Sequence, residues 1–185
     1  MARYEEKFEK ALQYLKEPSR ISPTGCSPIA YLVYPPEEVI ILKNAVETVL
    51  NPKAEYYGFG VHYLSIGELI DKFINNNEYL VYLTDETLSE EEVYHGIKQE
   101  LESSDYLTKQ ILAYQEQVMN EKQPLIIIKD VEMLHPFYMM GVIENKIFNR
   151  IQVPILVLYP GEEQGTARSF LGLYNQDGNY RSRNF

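Results

Sequence analysis

Residues 124–130 read PLIIIKD, and residues 153–161 read VPILVLYPG. Each is a short apolar run rich in β-branched side chains. The first ends at Lys129 and Asp130, the second at Pro160 and Gly161. Such runs predict strands buried on both faces. Residues 136–148 lie between them and predict a helix. A strand, a helix and a second strand form the repeating unit of a parallel sheet.

The same alternation extends toward the N-terminus. Residues 28–34 (PIAYLVY) predict another buried strand. Pro35, Pro36, Glu37 and Glu38 follow and predict a helix start: proline lacks only an N–H that has no intrahelical partner there, and acids suit the positive end of the helix dipole. Val39, Leu42, Val46 and Val49 give that helix an apolar face, and Asn51-Pro52 is expected to end it. Residues 60–64 read as a strand with Val61 and Tyr63 on one side. Ser65 and Glu68 have capping-box spacing ahead of Ile66, Leu69, Ile70 and Phe73, with the helix ending near residues 75–77. Residues 79–83 (YLVYL) are too short for periodicity to separate strand from helix. Tyr4, Phe8, Ala11, Leu12 and Leu15 mark an amphipathic helix over residues 1–17, followed by a loop over 19–27.

Ser89 and Glu92 repeat the capping box, and Val93, Ile97, Leu101, Leu107, Ile111, Tyr114 and Val118 continue at helical spacing. Residues 89–121 therefore read as an acidic helical insertion, as two helices or one interrupted helix. Residues 169–174 suggest a fifth strand. The fold class is α/β: a single domain over residues 1–185, with a mainly parallel sheet of about five strands and helices on both faces.

Net charge is −10, with 27 Asp and Glu against 17 Lys and Arg. Duplex binding draws mainly on Lys and Arg against phosphate, so this balance argues against autonomous nucleic-acid binding. Arg168, Arg181 and Arg183 are the basic groups nearest the C-terminus, and structural ion pairs are their simplest use. Cys26 stands alone, so the chain forms no internal disulfide, which fits a reducing compartment. Residues 1–16 are charged and do not read as a signal peptide. No apolar run approaches the roughly 20 residues of a membrane span, and a cytoplasmic location is expected. The 16 tyrosines, with no tryptophan, suit half-buried positions and contact surfaces.

The layout resembles a P-loop nucleotidase core, and residues 124–130 resemble its acid-ended, magnesium-holding strand. The phosphate loop itself is missing: residues 34–38 (YPPEE) offer neither glycine nor lysine and two acids that repel phosphate. Asp130 is then a cap, or at most one weak cofactor-binding candidate. His62, His95 and His135 share no i, i+3 or i, i+4 spacing, so no metal site is expected. His135 near Asp130 suggests a base and its orienter, without an evident nucleophile. No cofactor and no catalytic residue is assigned.

Residues 153–161, followed by Gly165, by Phe170-Leu171-Gly172 and by Tyr180-Arg181, resemble the C-terminal signature of the BrxB family of bacteriophage-exclusion (BREX) defence systems. Residues 124–128 with Pro136-Phe137 resemble the preceding family segment. The likeness is closest over the last 60 or so residues. Tyr138, Met139 and Met140 stand where the family tends to have an Arg and a His, and the RSRNF ending also departs from its pattern. The resemblance implies a non-catalytic component of a phage-defence complex, bound to the large PglZ-like phosphatase-family protein and meeting DNA only through that complex. The expected partner surface is Tyr159, Pro160, Gly161, Arg168, Phe170, Tyr180 and Arg181. Two other readings are a degenerate nucleotide-binding protein using Asp130, and a nucleic-acid-binding accessory module using the C-terminal arginines. Self-association is compatible with all three.

Overall fold

A computed structural model describes residues 2–17, 28–76, 88–164, 167–173 and 182–185. Helix α1 (Ala2–Lys16) precedes strand β1 (Ile29–Tyr34). A 3-10 turn (Pro36–Glu38) leads into α2 (Val39–Ala45), a π turn (Val46–Leu50) and α3 (Asn51–Tyr56). Then come β2 (Gly60–Ser65), α4 (Ile66–Asn76), α5 (Glu90–Ser104), α6 (Tyr106–Val118) and β3 (Pro124–Lys129). A 3-10 turn (Val131–Leu134), α7 (Met140–Ile147), β4 (Ile155–Gln164), β5 (Ala167–Phe170) and β6 (Arg183–Asn184) complete the chain.

The main sheet has the order β2-β3-β4-β1-β6, and every pair in it is parallel. Because side chains alternate across a strand, the apolar runs feed two cores at once. Ala30, Leu32 and Tyr34 of β1, Leu125 and Ile127 of β3, and Leu156 and Leu158 of β4 face α1, α2 and α3. Ile29, Tyr31, Val33, Ile126, Ile128, Ile155, Val157 and Tyr159 face the layer made by α4 to α7. The expected mainly parallel sheet with helices on both faces is what the chain builds.

Residues 89–121 form two helices between β2 and β3, as expected, and Val93, Ile97, Leu101, Leu107, Ile111 and Val118 are buried in the same core as the sheet. The capping box at Ser89 and Glu92 is formed, and Asp105, at φ 53°, separates the two helices. Several local expectations need correction. Pro52 does not end the helix. The Asn51 N–H bonds the Val46 carbonyl in a π turn, and this wider spacing re-registers the ladder where proline supplies no donor. The helix expected over 136–148 begins only at Met140: the Phe137 and Tyr138 N–H groups both bond the Leu134 carbonyl in a turn, and Met139 is extended at ψ 138°.

Pro160-Gly161 does not break β4. Pro160 is the last residue of β4 opposite β1, and from Gly161 the strand pairs with β5 instead. The missing proline donor falls where one ladder gives way to the other. Ser169 and Phe170 thus belong to an antiparallel hairpin on β4, and the fifth strand of the main sheet is β6. The loop over 19–27 with Cys26, the run 79–83, Gly165, Tyr174, Tyr180 and Arg181 lie outside the described residues.

Candidate functional site

Open α/β sheets bind ligands beyond the carboxyl ends of their strands. Here that edge holds a cavity of about 390 Å³, lined by Tyr34, Leu158 and Tyr63 from the strands and by Val39, Leu42, Lys43, Val46, Glu47 and Asn51 from the helix after β1. Lys129, Asp130 and Glu132, which end β3 and open the next turn, complete it.

Asp130 is the hub. Its backbone is left-handed, φ 56°. Its Oδ2 accepts the Ser65 hydroxyl at 2.6 Å, while the same Ser65 oxygen accepts the Glu68 N–H at 3.2 Å. The box expected at Ser65 is therefore turned toward β3, so that one hydroxyl caps α4 and holds Asp130. Lys43 and Lys129 reach the Asp130 carboxylate at 3.7 and 3.8 Å. Glu132 differs: its Oε2 is buried and has no hydrogen-bond partner among the described residues. Burial, then the charges of Glu132 and Asp130, push the Tyr34 phenol well above its ordinary value, so it stays neutral. Burial likewise raises Tyr63, whose hydroxyl donates to Asn51 Oδ1.

The turn after β1 is occupied by the chain itself. Arg3 Nη1 donates to Glu38 Oε1 at 3.2 Å, and the Tyr4 hydroxyl donates to Glu38 Oε2. Lys7 donates to the Val33 carbonyl at 3.0 Å and to Glu163 Oε1 at 2.9 Å. A phosphate there would meet Glu37 and Glu38 rather than a nest of free N–H groups. Among the described residues, no group of three or more His, Cys, Asp or Glu side chains is arranged to hold a metal ion. His62 lies on β2 beside Glu121 at 3.3 Å, His95 is exposed on α5, and His135 is exposed in the turn before α7. No described helix is long and apolar enough to cross a membrane.

The described part of the expected partner surface is not on the surface. Tyr159, Pro160, Gly161, Arg168 and Phe170 are all buried, and Arg168 is 0% exposed. Arg168 Nη2 pairs with Glu144 Oε2 at 3.1 Å, and Tyr31 donates to that same oxygen at 2.8 Å. Arg168 Nη1 donates to Asn184 Oδ1 at 2.9 Å and to Ser182 Oγ at 3.3 Å, and its guanidinium lies 3.4 Å from the centre of the Tyr31 ring. The Tyr159 ring packs edge-on against Tyr31 and at a tilt against Phe170. These side chains brace β5, α7, β1 and β6 against one another, and Arg168 is out of reach of any phosphate. Arg183, by contrast, is exposed beside the rings of Tyr14 and Phe185.

The model of the family described as BREX protein BrxB matches residues 63–185. The chain belongs to the BrxB family. It is therefore a component of a BREX phage-defence system, and the match reaches well upstream of the C-terminal signature. It takes in Tyr63, Lys129, Asp130 and Glu132 on one side of the cavity, whereas Tyr34, Lys43 and Glu47 on the other side precede it. No curated protein and no solved structure gives a significant match to this BrxB-family chain.

The cavity residues other than Asp130 escaped the sequence reading, yet one signal was visible. Residues 39–42 (VIIL) place four apolar side chains in a row on a helix. A helix turns 100° per residue, so a core on one side cannot take all four. Leu42 is buried, while Ile40 is 74% and Ile41 52% exposed.

Proposed function

We propose that this BrxB-family chain is a non-catalytic adaptor of its defence complex, with the PglZ-like phosphatase-family protein as its direct partner. The exposed Ile40-Ile41 pair, on the helix that lines the strand-end cavity with its other face, carries this reading. Apolar side chains grouped at a polar-rimmed opening are the usual make-up of a protein contact. The turn after β1, filled by Glu38 and its bonds to Arg3 and Tyr4, supports it from the other direction, since it offers a triphosphate no grip. DNA is then reached through the assembled complex. Of the three C-terminal arginines, Arg168 is buried and out of reach of such a contact.

Size-exclusion chromatography of the purified chain mixed with the PglZ-like protein tests the proposal. The two should co-elute, and the double variant Ile40→Glu, Ile41→Glu should keep its fold and bind at least about tenfold more weakly, within the range of a hot-spot loss. Separate elution of the wild-type chain, or unaided turnover of a small substrate by it, would overturn the reading.

A further inference from the structure

The cavity carries an unbalanced charge. Asp130 is matched by Lys43 and Lys129. Glu47 and Glu132 have no paired cation among the described residues, and Glu132 Oε2 is buried without a hydrogen bond. The Glu132 carboxylate lines the cavity with one oxygen closed off and unbonded, so a cation meeting the carboxylate from the cavity side supplies the charge partner that the fold does not. The walls fit a particular shape of donor. Val39, Leu42, Val46 and Leu158 offer an apolar lining for a methylene stem, and the Tyr34 and Tyr63 rings offer faces to a flat cation. Three carboxylates in one cavity repel phosphate. A point-charge ammonium would use the tyrosine faces less well than a planar guanidinium.

Exposed apolar side chains stand nearby. Ile40 lies one helical turn before Lys43, on the flank of the lining face, while Ile41 lies on the far side of that helix. Met133, 49% exposed, and Asp130 both lie against Gly67: a Cβ on Gly67 would stand 3.3 Å from Met133 Cγ and 3.6 Å from Asp130 Cβ. An anchoring arginine in a pocket with apolar contacts around it is the arrangement that dominates many protein interfaces.

We propose that the strand-end cavity receives an arginine side chain of the partner protein, its guanidinium on Glu132 and its stem along Val39 and Leu42, with the exposed Ile40 flanking the opening. The proposal rests on the adaptor reading and adds the chemistry of the contact. The partner segment is basic, in keeping with this chain's net charge of −10.

Titration calorimetry of the full chain against the PglZ-like protein tests it. Glu132→Gln keeps the shape and removes the charge. It should leave the melting temperature no lower than wild type and weaken binding about thirtyfold or more, as loss of one member of a buried charged pair does. N-acetyl-arginine amide at millimolar concentration should compete, and the neutral citrulline analogue should not. If Glu132→Gln binds like wild type while the Ile40→Glu, Ile41→Glu variant is weakened, the arginine anchor is wrong and the adaptor reading stands. If the wild-type chain shows no affinity for the PglZ-like protein, both fall. Heat from adenosine that vanishes in Glu132→Gln would assign the cavity to a small molecule, and self-association that vanishes in it would assign the cavity to a second copy. Either result overturns the proposal.

Discussion

Arg168 shows how far one residue's role depends on what surrounds it. In the sequence it is a cation near the C-terminus. In the fold it is 0% exposed and paired with Glu144, also 0% exposed. Removing one partner leaves a buried charge unmatched, so Glu144→Ala should lower stability by about 3–5 kcal/mol in urea unfolding. The double variant Glu144→Leu, Arg168→Met should recover much of that loss, because a well-packed apolar pair needs no charge partner. Additive losses in the two single variants and the double would contradict this account. Asp105 gives a pH-dependent counterpart. Partial burial works against its ionisation, but hydrogen bonds from Lys146 and Thr108 more than offset this and hold its carboxyl below the usual value. A depressed acid contributes stability above its unfolded pKa and loses it as pH falls through the folded one. Thermal melts from neutral to acidic pH should therefore fall more steeply for wild type than for Asp105→Asn, and parallel curves would contradict the assignment. Neither residue's role was legible in the sequence, since the charged partner of each, Glu144 for Arg168 and Lys146 for Asp105, lies more than twenty positions away.

Elements were more legible than residues where short-range chemistry decides them. The apolar runs became β1, β3 and β4, and the Ser89 capping box opened α5, because each signal is complete within a few positions. The failures came at Pro52, Pro136 and Pro160, where the local rule was right about the missing donor and wrong about its consequence. A π turn absorbs Pro52, and a change of pairing partner absorbs Pro160. Gly161 illustrates the point: it is needed not for a turn but for close approach, since a Cβ there would stand 1.9 Å from the Ser169 carbonyl oxygen. Gly161→Ala should cost about 1–3 kcal/mol through overpacking of the β4–β5 hairpin. Unchanged urea unfolding would show that the hairpin separates without penalty. The two-residue β6 could not have been read from RSRNF, because it exists only by pairing with Ala30 and Tyr31.

Across the whole molecule, the two-faced sheet was legible and the working surface was not. The tyrosines are one reason. Tyr4, Tyr14, Tyr31, Tyr34, Tyr138 and Tyr159 are buried, so much of the tyrosine content builds the core rather than a contact face. The family likeness is another, because the described residues of its C-terminal motif, among them Tyr159, Gly161 and Phe170, are buried in the fold. Among the described residues, one open side is the helix after β1 with the end of β3, where two isoleucines stand in solvent on the helix that lines the cavity. Amide hydrogen exchange of the chain, alone and mixed with the PglZ-like protein, tests this most directly. Slower exchange on mixing should concentrate in residues 36–44 and 129–134. Protection confined to α5 and α6, or no change anywhere, would contradict it.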